Sequence, residues 1–162
     1  MNRADLQRFA AGEDETRIYI SLPWSRGEFS YATNGHILVR VPRLADVDEN
    51  PQAPDAEKLL AETKQTEFIP VPVCVMPPDV ECIYCGGKGY FINGRGYPRD
   101  ECLECNGTKK VRDISGMDVN GANFQTRYLA MIQGWEIAPN GQKAAWIRNG
   151  DAVGLLMPRR KD

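Results

Sequence analysis

Two C-x-x-C pairs, Cys82-Ile83-Tyr84-Cys85 and Cys102-Leu103-Glu104-Cys105, constrain this chain more than any other feature of it. Sixteen residues separate them, a spacing inside the range of four-cysteine zinc sites. Two residues between ligands let one tight turn aim both sulfurs at an ion, and a second such turn completes a tetrahedron. Gly86, Gly87 and Gly89 follow the first pair and Gly107 the second; they permit the positive-φ backbone that turns amides towards sulfur. The intervening run Asn93-Gly94-Arg95-Gly96-Tyr97-Pro98 has little apolar content, so metal must supply most of its order. Cys82, Cys85, Cys102 and Cys105 are therefore the expected ligands of one structural Zn²⁺. Disulfides would need an oxidising compartment, and a thioredoxin-like motif would need a βαβ setting. An iron–sulfur cluster also uses four cysteines. Catalytic zinc is disfavoured, because four cysteine ligands leave no open position for water.

The fifth cysteine, Cys74, has no nearby partner in sequence and sits in an apolar, proline-flanked stretch. An odd count with a metal-type spacing suits a reducing compartment. No apolar signal-like segment follows Met1, and no run approaches the ~18 apolar residues of a membrane span. The expected location is the cytoplasm, with no membrane contact. The formal net charge of −2 means that any nucleic-acid contact must rest on a local patch. Residues 82–112 offer one, with six basic and three acidic residues; four thiolates and Zn²⁺ reduce its charge to about +1. Lys88, Arg95, Arg99, Lys109 and Lys110 are the candidate nucleic-acid contacts. Tyr84, Tyr90, Phe91 and Tyr97 are interleaved with them and could stack bases. The competing reading is that Tyr90 and Phe91 cover the zinc knuckle.

Around this region the chain reads as one domain, since 162 residues at 42% hydrophobic content can build a core. Residues 2–11 predict a helix capped by Asn2, and residues 16–22 a strand around Ile18 and Ile20. Residues 28–33 and 36–41 flank Asn34-Gly35, a hairpin signal. Residues 44–57 are acidic and proline-containing, an exposed connection, with a short helix over 55–64. Residues 67–76 alternate around Pro70 and Pro72, which fits an edge strand or extended arm. Residues 111–119 predict a strand, then a helix running to about 132, then strands over 134–138, 143–148 and 152–157. The two ends thus share an order, helix then three strands. The expected fold is α+β, two helix-plus-three-strand repeats with a small zinc module inserted: a first half over 1–76, the module over 77–111 and a second half over 112–162.

Two family resemblances accompany these readings. Cys82 to Gly89 matches the C-x-x-C-x-G-x-G unit of J-domain co-chaperones, whereas Cys102 to Lys109 lacks its final glycine. This covers about thirty residues and implies a zinc knuckle. Ala32-Thr33-Asn34-Gly35-His36, Asp118-Val119-Asn120, Tyr128-Leu129 and Leu155-Leu156-Met157-Pro158-Arg159-Arg160 together resemble segments of the bacterial DNA polymerase sliding clamp. That resemblance implies a clamp-like domain and a place in DNA replication or repair. The expected function is a non-enzymatic zinc-binding interaction protein that contacts replication or repair proteins. The alternatives are a nucleic-acid-binding module using the basic loop, or a chaperone-like peptide binder. No catalytic residues are expected: His36 is the sole histidine and sits beside a turn, where a structural role is the simpler one.

Overall fold

The computed structural model describes residues 1–13 and 16–160. In chain order the elements are α1 (Arg3–Gln7), a 3₁₀ turn (Ile18–Ile20), β1 (Trp24–Arg26), β2 (Phe29–Thr33), β3 (Ile37–Pro42), α2 (Ala56–Glu62) and β4 (Ile69–Pro70). The cysteine region holds β5 (Val80–Glu81), β6 (Tyr90–Ile92), β7 (Pro98–Glu101) and β8 (Lys110–Val111). There follow β9 (Gly116–Val119), β10 (Ala122–Gln125), α3 (Thr126–Met131), β11 (Glu136–Asn140), β12 (Lys143–Asn149) and β13 (Ala152–Leu156).

Seven strands form one antiparallel sheet in the order β1-β2-β3-β13-β12-β11-β4. Its period-2 sequences decide which core each side chain joins. On one face Ala32, Ile37, Val39, Val41, Ala145, Ile147 and Leu156 meet Leu6 and Phe9 at the N-terminal end and Tyr128, Leu129 and Ile132 at α3. On the other, Tyr31, Leu38 and Leu155 meet Trp24, Ala53, Ala56 and Leu60. Both faces carry a buried cluster, the second of them towards β1–β3, while Glu136 and Arg148 on that face stay about half exposed.

Local chemistry explains the boundaries. Asn2 accepts from the Asp5 amide at 2.9 Å while the Asp5 carboxylate accepts from the Asn2 amide at 3.0 Å, a capping box. At the β2–β3 turn Asn34 Oδ1 accepts from the amides of His36 and Ile37, and Gly35 takes φ +89°. Asp55 caps α2 through the Lys58 amide. Ser25 and Ser30 are buried polar residues; their hydroxyls bond each other at 2.7 Å, and Ser25 Oγ also donates to the Val47 carbonyl. This pairing ties the segment after β3 down onto the sheet.

The expected α+β arrangement of two helix-plus-three-strand repeats is not what the chain forms. Strand outweighs helix, 33% against 13%, and the described residues form only three short α-helices. Both meanders, β1-β2-β3 and β11-β12-β13, merge through the β3–β13 pairing into a single sheet. Neither half has a core of its own, since Leu6, Phe9 and Val39 pack in the same cluster as Leu129 and Ile147. The expectation of a sliding-clamp-like domain built from such repeats falls with it. Smaller expectations fail for similar reasons. Residues 18–20 form a 3₁₀ turn rather than a strand, with only Ile20 buried. Residues 44–57 are not wholly exposed: Val47, Ala53 and Ala56 are buried. β4 is the predicted edge strand, cut to two residues.

Beyond β4 the chain passes α3 as a strap. The Val71 amide bonds the Trp135 carbonyl at 2.9 Å, and Gln133 Nε2 donates to the Pro72 carbonyl at 2.9 Å. Cys74 lies in this strap, half-buried against the main core, and burial pushes its thiol pKa up.

Candidate metal centre

The strap leads into β5, and the cysteine region is built from there as two copies of one unit. Strand β5, the first C-x-x-C turn and β6 make one copy; β7, the second turn and β8 make the other. Each element of the second lies close to 20 residues after its counterpart. The copies clasp each other, with β5 pairing β8 and β6 pairing β7. The Cys82 amide bonds the Lys109 carbonyl, and the Cys102 amide bonds the Gly89 carbonyl, both at 2.9 Å. Backbone angles repeat as well: φ is 58° at Gly86 and 47° at Asn106, 72° at Gly87 and 73° at Gly107, 83° at Gly89 and 72° at Lys109.

All four cysteines are buried, and their sulfurs lie within 4.8 Å of one another. The Cys82–Cys102 separation is 3.9 Å and the Cys85–Cys105 separation 3.8 Å. A disulfide would need about 2.05 Å, and all four are free thiols. Tetrahedral metal–sulfur bonds of about 2.3 Å place sulfurs about 3.8 Å apart. The donor set therefore fits one tetrahedral ion, and the four cysteines are close enough to bind it. The Gly89 amide donates to Cys85 Sγ at 3.2 Å, and the Lys109 amide is placed to do the same for Cys105. Burial opposes ionisation of Cys85, yet the Gly89 amide and neighbouring thiols bring its pKa down to about 7. Burial, with the other sulfurs adding to it, pushes Cys105 up to about 11. A bound cation would hold both as thiolates.

Lys109 explains the glycine missing from the second knuckle. It adopts the same left-handed backbone as Gly89, which an L-residue enters at a cost of roughly 1–2 kcal/mol. Lys109→Gly is therefore expected to stabilise the metal-loaded knuckle by about 1 kcal/mol, less any entropy that glycine forfeits. Gly89→Ala should weaken metal binding sharply: its Cβ would lie 2.8 Å from the Gly107 carbonyl oxygen at φ +83°. Chelator competition on both variants reads the two opposite shifts.

The remaining candidates are spread over the module. Lys88 and Lys109 lie on the two knuckles, Lys110 in β8, and Arg95 in the turn between β6 and β7, where Asn93 Oδ1 accepts from its amide. Lys88, Arg95, Lys109 and Lys110 are exposed; the Arg99 side chain lies outside the described residues. Tyr90 and Phe91 do not cover the knuckle. Both are exposed, and among the described residues only Val111 is partly buried against the cysteine cluster. Hydrophobic residues instead crown the module: Ile83 and Leu103, equivalent in the two copies, are 82% and 83% exposed, and Tyr84 is exposed beside them. A groove of 780 Å³ runs past Ile83, Tyr84, Val111 and Ile114. Its charged lining is Asp79, Glu81, Glu104 and Asp113 against Lys110 and Arg112. Sequence reading passed over this groove, because three of its four acids, Asp79, Glu81 and Asp113, lie outside residues 82–112.

No protein family, curated protein or solved structure matches this chain. Among the described residues no helix is long and apolar enough to cross a membrane.

Proposed function

We propose that this is a non-enzymatic zinc-binding interaction protein whose zinc knuckle presents an apolar crown and acidic groove to a protein partner. The exposed Ile83, Tyr84 and Leu103 carry this reading. Large apolar side chains at the tips of a rigid module are costly in water unless something covers them. The groove beside them carries more acid than base, which favours a partner segment with apolar and basic residues over a polyanion. Zinc is the ion proposed, because a closed four-thiolate set suits a structural role and leaves no coordination position for a reacting water. His36 stacks on the Tyr128 ring at 5.7 Å, a packing role.

The alternative is nucleic-acid contact through Lys88, Arg95, Lys109 and Lys110, favoured by the exposure of all four. Site-specific photo-crosslinking in cells separates the two. A crosslinker at position 84 should capture a discrete protein, and Leu103→Asp should abolish the product. Capture of nucleic acid from that position, or from Arg95 but not Tyr84, would overturn the protein-contact reading.

A further inference from the structure

Four arginines from four distant parts of the chain line one cavity. Arg8 caps the end of α1, Arg17 precedes the 3₁₀ turn, Arg112 follows β8 and Arg127 lies in α3. They share a 520 Å³ cavity with His36 and Tyr128, and no acidic residue is among its described lining. Gathering like charges in a concavity is unfavourable by Coulomb's law, and low-dielectric walls focus the resulting field. Three arginines elsewhere meet carboxylates, Arg40 with Glu57, Arg43 with Glu49 and Arg148 with Glu136, while Arg3 and Arg26 donate to backbone carbonyls. Among the described residues Arg8, Arg112 and Arg127 have no such partner. The Nε of Arg127 is buried with no hydrogen-bond partner, a condition proteins usually avoid.

We propose that this cavity binds a phosphate monoester carried on a nucleoside-sized body. A monoester is close to a dianion at neutral pH and offers three strong acceptor oxygens, which suits several guanidinium forks converging from different sides. A continuous phosphodiester backbone is instead followed by a groove of basic residues along its length; these arginines line a single cavity. The volume leaves room beyond a phosphate for a ring, and the stacked His36 and Tyr128 provide an aromatic wall. Arg127 already lies 5.7 Å from the Tyr128 ring centroid, which steadies its guanidinium. No metal ligand takes part, although Arg112 also lines the groove beside the knuckle. Sequence reading missed the site because its contributors span residues 8 to 127.

Calorimetry on the metal-loaded 162-residue protein tests it. The probes are adenosine 5′-monophosphate, adenosine, inorganic phosphate, and one trinucleotide with and without a 5′-phosphate. The monophosphate and the 5′-phosphorylated trinucleotide should bind about tenfold or more tightly than adenosine and the 5′-hydroxyl trinucleotide. Arg127→Gln and Arg112→Gln should each weaken monophosphate binding about tenfold, and Lys143→Gln, an exposed β12 position lining neither site, should leave it unchanged. Comparable affinity for monophosphate and phosphorylated trinucleotide assigns a free small molecule; tighter trinucleotide binding assigns a nucleic-acid end. Zinc content and thermal midpoint confirm that each variant is folded, and the exposed Arg112 carries the test if Arg127→Gln does not fold. The proposal is overturned if no phosphate-bearing probe binds, if the 5′-hydroxyl trinucleotide matches its phosphorylated form, or if a folded Arg112→Gln binds monophosphate like wild type.

Discussion

Stripping the metal with a strong chelator should unfold residues 80–111 and leave the seven-stranded sheet folded. The reason lies in how the two parts are held. Among the described residues the only buried cluster in the cysteine module is Cys82, Cys85, Cys102 and Cys105, with Val111 beside it. Four two-to-four-residue strands in two separate pairs cannot hold such a segment in water. Structural zinc contributes roughly 10–16 kcal/mol in finger peptides, far more than the module's own contacts. The sheet, by contrast, is packed on both faces by residues that touch no sulfur ligand. Amide spectra should therefore show Ile83 and Leu103 collapsing to random-coil shifts while Ile147 and Leu156 stay dispersed. Cys102→Ser should reproduce the pattern, and elemental analysis should find one ion per chain in the wild type. Loss of dispersion throughout would show that the module is integral to the core. Acid should mimic the chelator. The loaded state holds thiolates, so its stability is present at high pH and is lost as protons compete for sulfur on acidification. Loading near neutrality must expel the protons of the thiols that become ligands, and unbuffered zinc titration should acidify the solution.

Gly154→Val should be the most damaging single change in the sheet, lowering unfolding free energy by about 3 kcal/mol or more. Gly154 pairs with Val39 across the β3–β13 seam. A Cβ there would run into the backbone carbonyl oxygen of Leu38. Backbone cannot swing aside as a lysine tip can, so the two meanders would have to part or shift register. The paired control is Gly150→Ala in the turn before β13, at φ +56° with open space around it, where only the left-handed cost of roughly 1–2 kcal/mol applies. Urea midpoints of the two variants compare the effects directly. Equal midpoints would mean that the seam does not bind the two halves as described.

The cysteine site was legible because its chemistry is local: two short turns, each with ligands three positions apart, announce themselves in a single sequence. Hairpin turns were legible for the same reason, as Asn34 and Gly35 carry their own geometry. The last two strands were placed within one residue at each end, and β11 was displaced by two. What could not be read was how meanders combine. Strands β3 and β13 are separated by more than a hundred residues, and nothing in either alternation names its neighbour. The repeat pattern therefore suggested two units where hydrogen bonding makes one. The arginine cavity escaped notice for the same physical reason, since residues scattered from 8 to 127 converge only through the fold. Lys109 is a different case. The absent glycine read as a departure, whereas the backbone keeps the glycine conformation and bears the strain.

The outermost strands limit how anything else can attach. At one border β4 has two residues, one of them Pro70, and Pro72 follows shortly after; proline has no amide hydrogen to offer an incoming chain. At the other border β1 has three residues, and the Ser25 amide is already spent on the Asp48 carbonyl at 2.8 Å. Both rims are thus blunted in the way natural proteins guard against edge-to-edge polymerisation. An extended peptide cannot lengthen this ladder, so a visitor must recognise side chains rather than borrow backbone.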